Sequence, residues 1–117
     1  MNINDFEHEI RRLSQLIDQG ITELVNQSRE HAHAEADYRK AYAQAFLVAE
    51  ARTVRERELT ADAETHEDRL RAYLARGMEQ AAREAVRARR AQLSALQSLM
   101  GAYKAEAEFI RTGHDGV

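Results

Sequence analysis

The chain has 117 residues, a net charge of −3, and no cysteine, proline or tryptophan. One domain over residues 1–117 is therefore the starting expectation, and the lack of cysteine excludes disulfides, thiolate nucleophiles and cysteine-based zinc sites. No apolar run approaches the roughly 20 residues of a membrane span and the N-terminus is too polar for a signal peptide, so we expect a cytoplasmic protein with no membrane contact.

The first element in chain order is a helix over residues about 3–50. Alanine, glutamate, arginine and leucine dominate the chain, and these are good helix formers. Two series of positions, each seven residues apart, follow the a/d heptad pattern of coiled coils. They are Ile3, Ile10, Ile17, Leu24, His31, Tyr38 and Ala45, and Phe6, Leu13, Gly20, Gln27, Ala34, Ala41 and Val48. The middle of this heptad pattern is only weakly apolar. It is compatible with a close approach of the helices, with a polar layer or with a local bend.

A helix break is predicted at residues 51–53. Thr53 and Glu56 have the S/T-x-x-E form of a capping box, in which the threonine oxygen accepts from the Glu56 amide and the Glu56 carboxylate accepts from the Thr53 amide. A second helix is predicted over residues about 54–111, followed by a frayed tail over 112–117. Its apolar positions are clearest near the end and recur upstream mostly at spacings of four.

Two helices of this length cannot enclose a core by themselves. The sequence therefore predicts an all-α fold, in which two long helices form an antiparallel hairpin or coiled coil that oligomerises into a helical bundle. The open alternative is an extended coiled coil in which the second helix continues the first. The predicted core and oligomer seam comprises Phe6, Ile10, Leu13, Ile17, Leu24, Tyr38, Phe46, Leu70, Leu74, Leu93, Leu96, Met100 and Tyr103.

His31 and Glu35 form the most site-like cluster, because neighbours at i and i+4 share one face of a helix. His33 lies on another face, so a further ligand would have to come from elsewhere, for example His66. A metal site needs three or four converging ligands. We therefore predict no metal and interpret His31 as a polar seam residue that fixes the register of the helices.

Catalytic motifs are absent from the sequence. It has no glycine-rich phosphate loop, no G-x-S-x-G and no H-E-x-x-H. The acids of residues 62–68 are interpreted as a solvated face, because narrow alanine seams do not make the concave pocket that catalysis needs. We predict no cofactor, no catalytic residue and no enzymatic activity.

The arginines of the second helix carry the clearest functional signal. Seven arginines and two glutamates lie between residues 69 and 90, which gives this stretch a charge of +5. Tyr73, an aromatic residue, lies within it. A stripe of arginines can follow a phosphate backbone, since the guanidinium fork binds phosphate bidentately. The candidate nucleic-acid-binding residues are Arg69, Arg76, Arg83 and Arg90, spaced seven apart, with Arg87 beside them.

The alternative interpretation is that this stripe pairs with acids of the first helix or of a neighbouring chain. Arginines beside a coiled-coil seam often do so. The candidate partners are Glu23, Glu30, Glu35 and Asp37.

Residues 35–111 are similar to small Ala/Arg/Glu-rich helical proteins of tailed bacteriophages and prophages. The similarity rests on ADYRKAY at 36–42, TVRERE at 53–58, the alternating Ala/Arg/Glu helix, RRAQLSAL at 89–96 and KAE at 104–106. Genes of this group tend to lie in replication and recombination modules. The resemblance implies an accessory role in DNA recombination or replication, as a single-stranded-DNA-binding protein or recombination mediator in the bacterial host cytoplasm, with a phage recombination protein as another partner.

Two other functions stay open. One is a helical adaptor or inhibitor that binds a host or phage protein without contacting DNA. It would offer aromatic side chains to a partner helix, and the candidates are Tyr42, Phe46, Tyr103 and Phe109. The other is a structural coiled coil that binds only copies of itself.

Overall fold

A computed structural model describes residues 1–113 of the chain. Over this range the chain forms three α-helices and no strand: α1 at Ile3–Val48, α2 at Val54–Glu64 and α3 at His66–Gly113. The predicted all-α class is confirmed. The predicted pair of helices is corrected to three, because the second is divided at Thr65. Of the predicted frayed tail, Thr112 and Gly113 belong to α3, and residues 114–117 lie outside the described residues.

Thr53 caps the N-terminus of α2. Its backbone is extended, with φ −123° and ψ 158°, and its side chain accepts a hydrogen bond from the Glu56 amide at 3.1 Å. The Glu56 carboxylate accepts from the amide of Arg52 at 3.0 Å, one residue earlier than the Thr53 amide that the capping-box pattern predicts. The threonine half of the motif therefore forms as predicted, and the glutamate half is shifted.

Thr65 separates α2 from α3 without glycine or proline. Its ψ of 15° departs from helical geometry. Both its amide and its hydroxyl donate to the carbonyl oxygen of Ala61, at 3.0 and 2.6 Å. A threonine hydroxyl that competes for this carbonyl bends or interrupts a helix. The Arg69 amide then donates to the Thr65 carbonyl oxygen at 2.9 Å, so α3 starts at once.

The chain divides into two compact units. The terminal unit comprises Met1–Ile21 with the described part of Glu84–Val117, and the middle unit comprises Thr22–Arg83. Large side chains fill the terminal unit, where Phe6, Leu13 and Ile17 of α1 and Val86 of α3 are buried. The rings of Phe6 and Tyr103 lie 5.7 Å apart between centroids, so Tyr103 contacts the core while staying 39% exposed.

Small side chains fill the middle unit. Its buried positions are Ala34, Ala45, Ala49, Ala61, Thr65 and Ala72. Tyr38 and Phe46 are half-buried and each lies against Tyr42, with ring centroids 6.2 and 6.4 Å apart. Alanine gives less apolar burial per residue than leucine, but it lets helix backbones approach closely.

The buried positions of α1 follow the predicted heptads. Every position of the two series is buried or half-buried from Ile3 to Ala45, and Val48 is exposed. The predicted seam residues Ile10, Leu24, Leu93, Leu96 and Met100 are half-buried.

The contact positions of α2 and α3 differ from the prediction upstream of Val86. They alternate at spacings of three and four and are Ala61, Thr65, Asp68, Ala72, Ala75, Glu79, Ala82, Val86, Arg89, Leu93, Leu96 and Met100. Leu70 and Leu74, which were predicted in the seam, are 48% and 59% exposed. Within the chain the contact at this level consists of alanine and polar residues. A seam role of Leu70 and Leu74 would therefore need a second copy of the chain and stays a prediction. None of the described helices is long and apolar enough to cross a membrane.

Candidate nucleic-acid interface

Three of the candidate arginines belong to the middle unit. Arg69, Arg76 and Arg83 are all exposed, and each directly follows a contact position of α3. This places them at the edge of the helix contact, with their charged ends in solvent. Arg83 lies 3.5 Å from a carboxylate oxygen of Glu79. Arg69 and Arg76 form no ion pair with any residue in the range 1–113.

The terminal unit holds the other two. Arg87 is exposed and its guanidinium lies 3.0 Å from the Glu84 carboxylate. Arg90 is also exposed, and it has no acidic partner within the described part of the chain. Exposed pairs at i and i+3 or i+4 contribute about 0–1 kcal/mol and exchange readily with solvent ions. Arg87 is therefore still open to a stronger anionic partner, whereas Arg83 pairs with a half-buried carboxylate.

Three of the four acids that the sequence offered as partners are engaged elsewhere. Asp37 pairs with Arg71 at 2.6 Å, and Glu23 accepts a hydrogen bond from Gln27 at 2.7 Å. Glu35 lies 3.9 Å from Arg39. Over residues 1–113, neither these acids nor Glu30 pairs with any of the five candidate arginines. Pairing of the stripe with acids of a neighbouring chain stays a prediction.

A shallow depression lies beside these arginines in the middle unit. It has a volume of about 280 Å³ and is lined by Tyr73, Arg76, Gly77 and Gln80. Tyr73 is 71% exposed. A β-carbon built on Gly77 would have no atom within 4 Å, so the surface beside the tyrosine is bare. From the sequence, Tyr73 was identifiable only as an aromatic residue in a basic stretch. Gly77, one helical turn later, is the signal in the sequence for the bare surface beside it.

His31 is held between two acids of the middle unit. Its Nδ1 lies 3.4 Å from Glu79 and its Nε2 lies 3.7 Å from Glu35. The two carboxylates approach different ring nitrogens, so they do not converge on one point. His33 and His66 are exposed and do not join them. Within residues 1–113, no group of three or more histidine, aspartate or glutamate side chains is arranged to hold a metal ion.

No protein-family model matches the chain, and no significant match is found among curated proteins or among solved structures.

Proposed function

We propose that this chain is a non-enzymatic accessory protein of phage-type DNA recombination or replication that binds the phosphate backbone of single-stranded DNA. The observation that carries the proposal is that three arginines are exposed and, over residues 1–113, have no acidic partner. Arg69 and Arg76 in the middle unit and Arg90 in the terminal unit are exposed and form no ion pair within the described residues. Arginines free of acidic partners can bind phosphate without first breaking an existing ion pair.

The proposal predicts a defined response to salt. Binding of a cation to DNA releases condensed counterions, with a slope of roughly −0.7 in log affinity against log salt for each phosphate of a single strand. Three to five arginines therefore predict a slope of roughly −2 to −3.5. The net charge of −3 limits binding at other surfaces.

An antiparallel arrangement of the helices is part of the proposal. In the terminal unit, Phe6 contacts Tyr103 and the Gly20 position faces Val86. As the residue number increases along α1, the number of the contacting residue in α3 therefore decreases. His31 meets Glu79 and Asp37 meets Arg71 in the same sense within the middle unit.

Self-association is also part of the proposal. Leu70, Leu74 and Met78 recur one turn apart on α3 and are 48%, 59% and 56% exposed. Apolar side chains repeated along one helix face favour a partner that covers them. A homo-oligomer would bring several copies of these arginines to one DNA strand, which raises the effective affinity without any new contact.

The test is a fluorescence-anisotropy titration of a labelled single strand at increasing salt, together with the solution mass. The variant replaces Arg69, Arg76 and Arg90 with glutamine. A matched control replaces Arg11, Arg29 and Arg52, which are exposed arginines outside the 69–90 stretch. Both variants change the net charge by the same amount.

We expect the first variant to lose most of its affinity and to have a shallower salt slope. The control should bind almost as well as the unaltered chain. Equal losses in the two variants would mean that only overall charge matters, and no binding at low salt would reject the DNA function altogether. Helicity measured by circular dichroism should be unchanged in both.

A second candidate function is supported by an apolar surface around the α1–α2 connection. Leu47, Val48 and Val54 are 73%, 74% and 64% exposed. A partner helix that covers them would make the chain a protein-binding adaptor. Of the four aromatic candidates for this role, Phe109 is 74% exposed, whereas Tyr42 and Phe46 lie against each other. Specific capture of a phage or host protein that is lost in a Leu47→Ser and Val48→Ser variant, with no DNA binding, would favour this function.

A further inference from the structure

We infer that the depression lined by Tyr73, Arg76, Gly77 and Gln80 is a nucleobase-stacking subsite, which makes α3 selective for single strands over duplexes. The inference rests on the proposed DNA-binding function and adds to it the part of the ligand that is recognised. It also names a residue, Tyr73, whose contribution does not depend on charge.

The geometry of the helix supplies a stacking surface. Tyr73 and Gly77 are one turn apart on the same face of α3, and both are exposed. The absence of any atom within 4 Å of a β-carbon at Gly77 leaves room beside the phenol ring for a flat group. An aromatic ring with 71% of its surface in solvent gains by covering one face with another planar ring.

The polar groups around the tyrosine suit one nucleotide and its neighbours. Arg69 precedes Tyr73 by one turn and Arg76 follows it by one turn, so the two guanidinium groups bracket the ring along about 10 Å of helix. Each can bind a phosphate, while Gln80 offers both a donor and an acceptor to a base edge. Stacking needs no particular base, so the subsite predicts little sequence preference.

The same geometry disfavours duplex DNA at this subsite. Bases of a duplex are already stacked on each other, and extruding one costs energy that a shallow surface depression does not return. A duplex can therefore use the arginines but not Tyr73. Replacing the tyrosine should therefore weaken binding of single strands only, whereas replacing the arginines should weaken binding of both single strands and duplexes.

The experiment compares Tyr73→Ala and Tyr73→Phe, in the full chain, on three probes. The probes are an ordinary single strand, an abasic single strand of equal length and the corresponding duplex. We expect Tyr73→Ala to bind the ordinary strand at least about fivefold more weakly, which is the lower end for loss of one stacked base. Binding to the abasic strand and to the duplex should stay as it was. Tyr73→Phe keeps the ring and should retain affinity on all three probes.

Two further variants control for shape and apolar area. Gly77→Leu fills open space on the helix surface, so it should fold normally and weaken binding to the ordinary strand as Tyr73→Ala does. Leu99→Ala removes a side chain of α3 that is 60% exposed and lies outside the proposed self-association face, so it should not alter the preference for single strands.

Failure of this inference is distinguishable from failure of the proposed function. If the unaltered chain binds none of the probes at low salt, the DNA function itself is rejected. If it binds and Tyr73→Ala weakens no probe, the arginine contact stands and the stacking subsite is rejected. An equal loss on all three probes together with a lower solution mass would also reject the subsite, because it would assign Tyr73 to contact between copies of the chain.

Discussion

The Nδ1 atom of His31 lies 3.4 Å from a carboxylate oxygen of Glu79, in a contact of the middle unit that is otherwise lined largely by alanine. The other ring nitrogen, Nε2, is buried and has no hydrogen-bond partner among the described residues. A polar pair at a helix contact fixes the register of the two helices at a cost in stability. The contact agrees with the register-setting role predicted for His31 from the sequence, and the role itself stays a prediction.

Replacing both members of this pair with leucine should leave the free energy of unfolding unchanged or raise it by about 1–4 kcal/mol, because desolvation of the polar groups is then avoided. Glu79→Leu alone should lower it by about 1–3 kcal/mol, since the imidazole is left without its partner. Urea unfolding of the two variants measures the difference. A double variant as unstable as the single one would show that the pair itself holds the helices together.

Gly20 and Gly101 should respond differently to alanine. A β-carbon on Gly20 would lie 3.0 Å from Cγ2 of Val86, whereas one on Gly101 would have no atom within 4 Å. Alanine favours a helix by about 1 kcal/mol over glycine, so Gly101→Ala should raise the free energy of unfolding by that amount. At Gly20 the crowding of Val86 should cancel or reverse the gain, because overpacking costs about 1–3 kcal/mol.

Thermal unfolding of the two single variants checks this contrast between the glycines. Adding Val86→Ala to Gly20→Ala should recover part of the lost stability, and the two changes should not be additive. Equal gains at both glycines would mean that the helices can separate slightly at Gly20 without cost.

Tyr42 should make the protein less stable at alkaline pH. Burial raises the pKa of its phenol above the ordinary value of 10.0, and the nearby carboxylates of Asp62 and Glu58 raise it further. Folding thus favours the protonated phenol. Its contribution to stability is complete below pH 10.0 and is lost as the pH rises through the higher pKa of the folded state.

The pH dependence of urea unfolding tests this effect. Tyr42→Phe should flatten the alkaline decline in stability, and Asp62→Asn should flatten it in part, because it removes only one of the causes. A decline of the same steepness in Tyr42→Phe would assign it to another group.

The fold was predictable where large apolar residues mark the contact. In α1, isoleucine, leucine and phenylalanine at heptad positions indicated the buried face. In the middle unit the apolar part of the α3 contact face is Ala72, Ala75 and Ala82, which differ little in apolarity from exposed alanines beside them. The sequence therefore did not separate the alanine contact within the chain from the face that carries Leu70 and Leu74, which is exposed in a single chain.

The pairing of charges was predictable from the sequence only where both partners lie on one helix. Arg83 and Arg87 have acids three or four residues away on their own helix, and such local pairs need no alignment of separate elements. Pairing with α1 depends on which acids lie opposite, and a contact that consists largely of alanines gives little sequence signal for that register. The break at Thr65 was missed because threonine is common inside helices, and only its hydroxyl contact with Ala61 marks the interruption.

Aspartate substitutions at Leu13 and Leu74 should distinguish the residues needed for folding from those needed for self-association. Leu13 is 4% exposed in the terminal unit, so Leu13→Asp buries a carboxylate that has no partner. The variant should therefore not fold, and its unfolding curve should show no cooperative transition. Leu74 is 59% exposed, so Leu74→Asp should keep the helicity of the chain. If copies assemble over this face of α3, Leu74→Asp should lower the solution mass, because the assembly would have to bury the new charge.

Sedimentation velocity with circular dichroism on the same samples gives both readouts, and Leu74→Met is the matched control that keeps the face apolar. An unchanged mass in Leu74→Asp would move the self-association surface away from α3 and towards the exposed apolar residues at the α1–α2 connection.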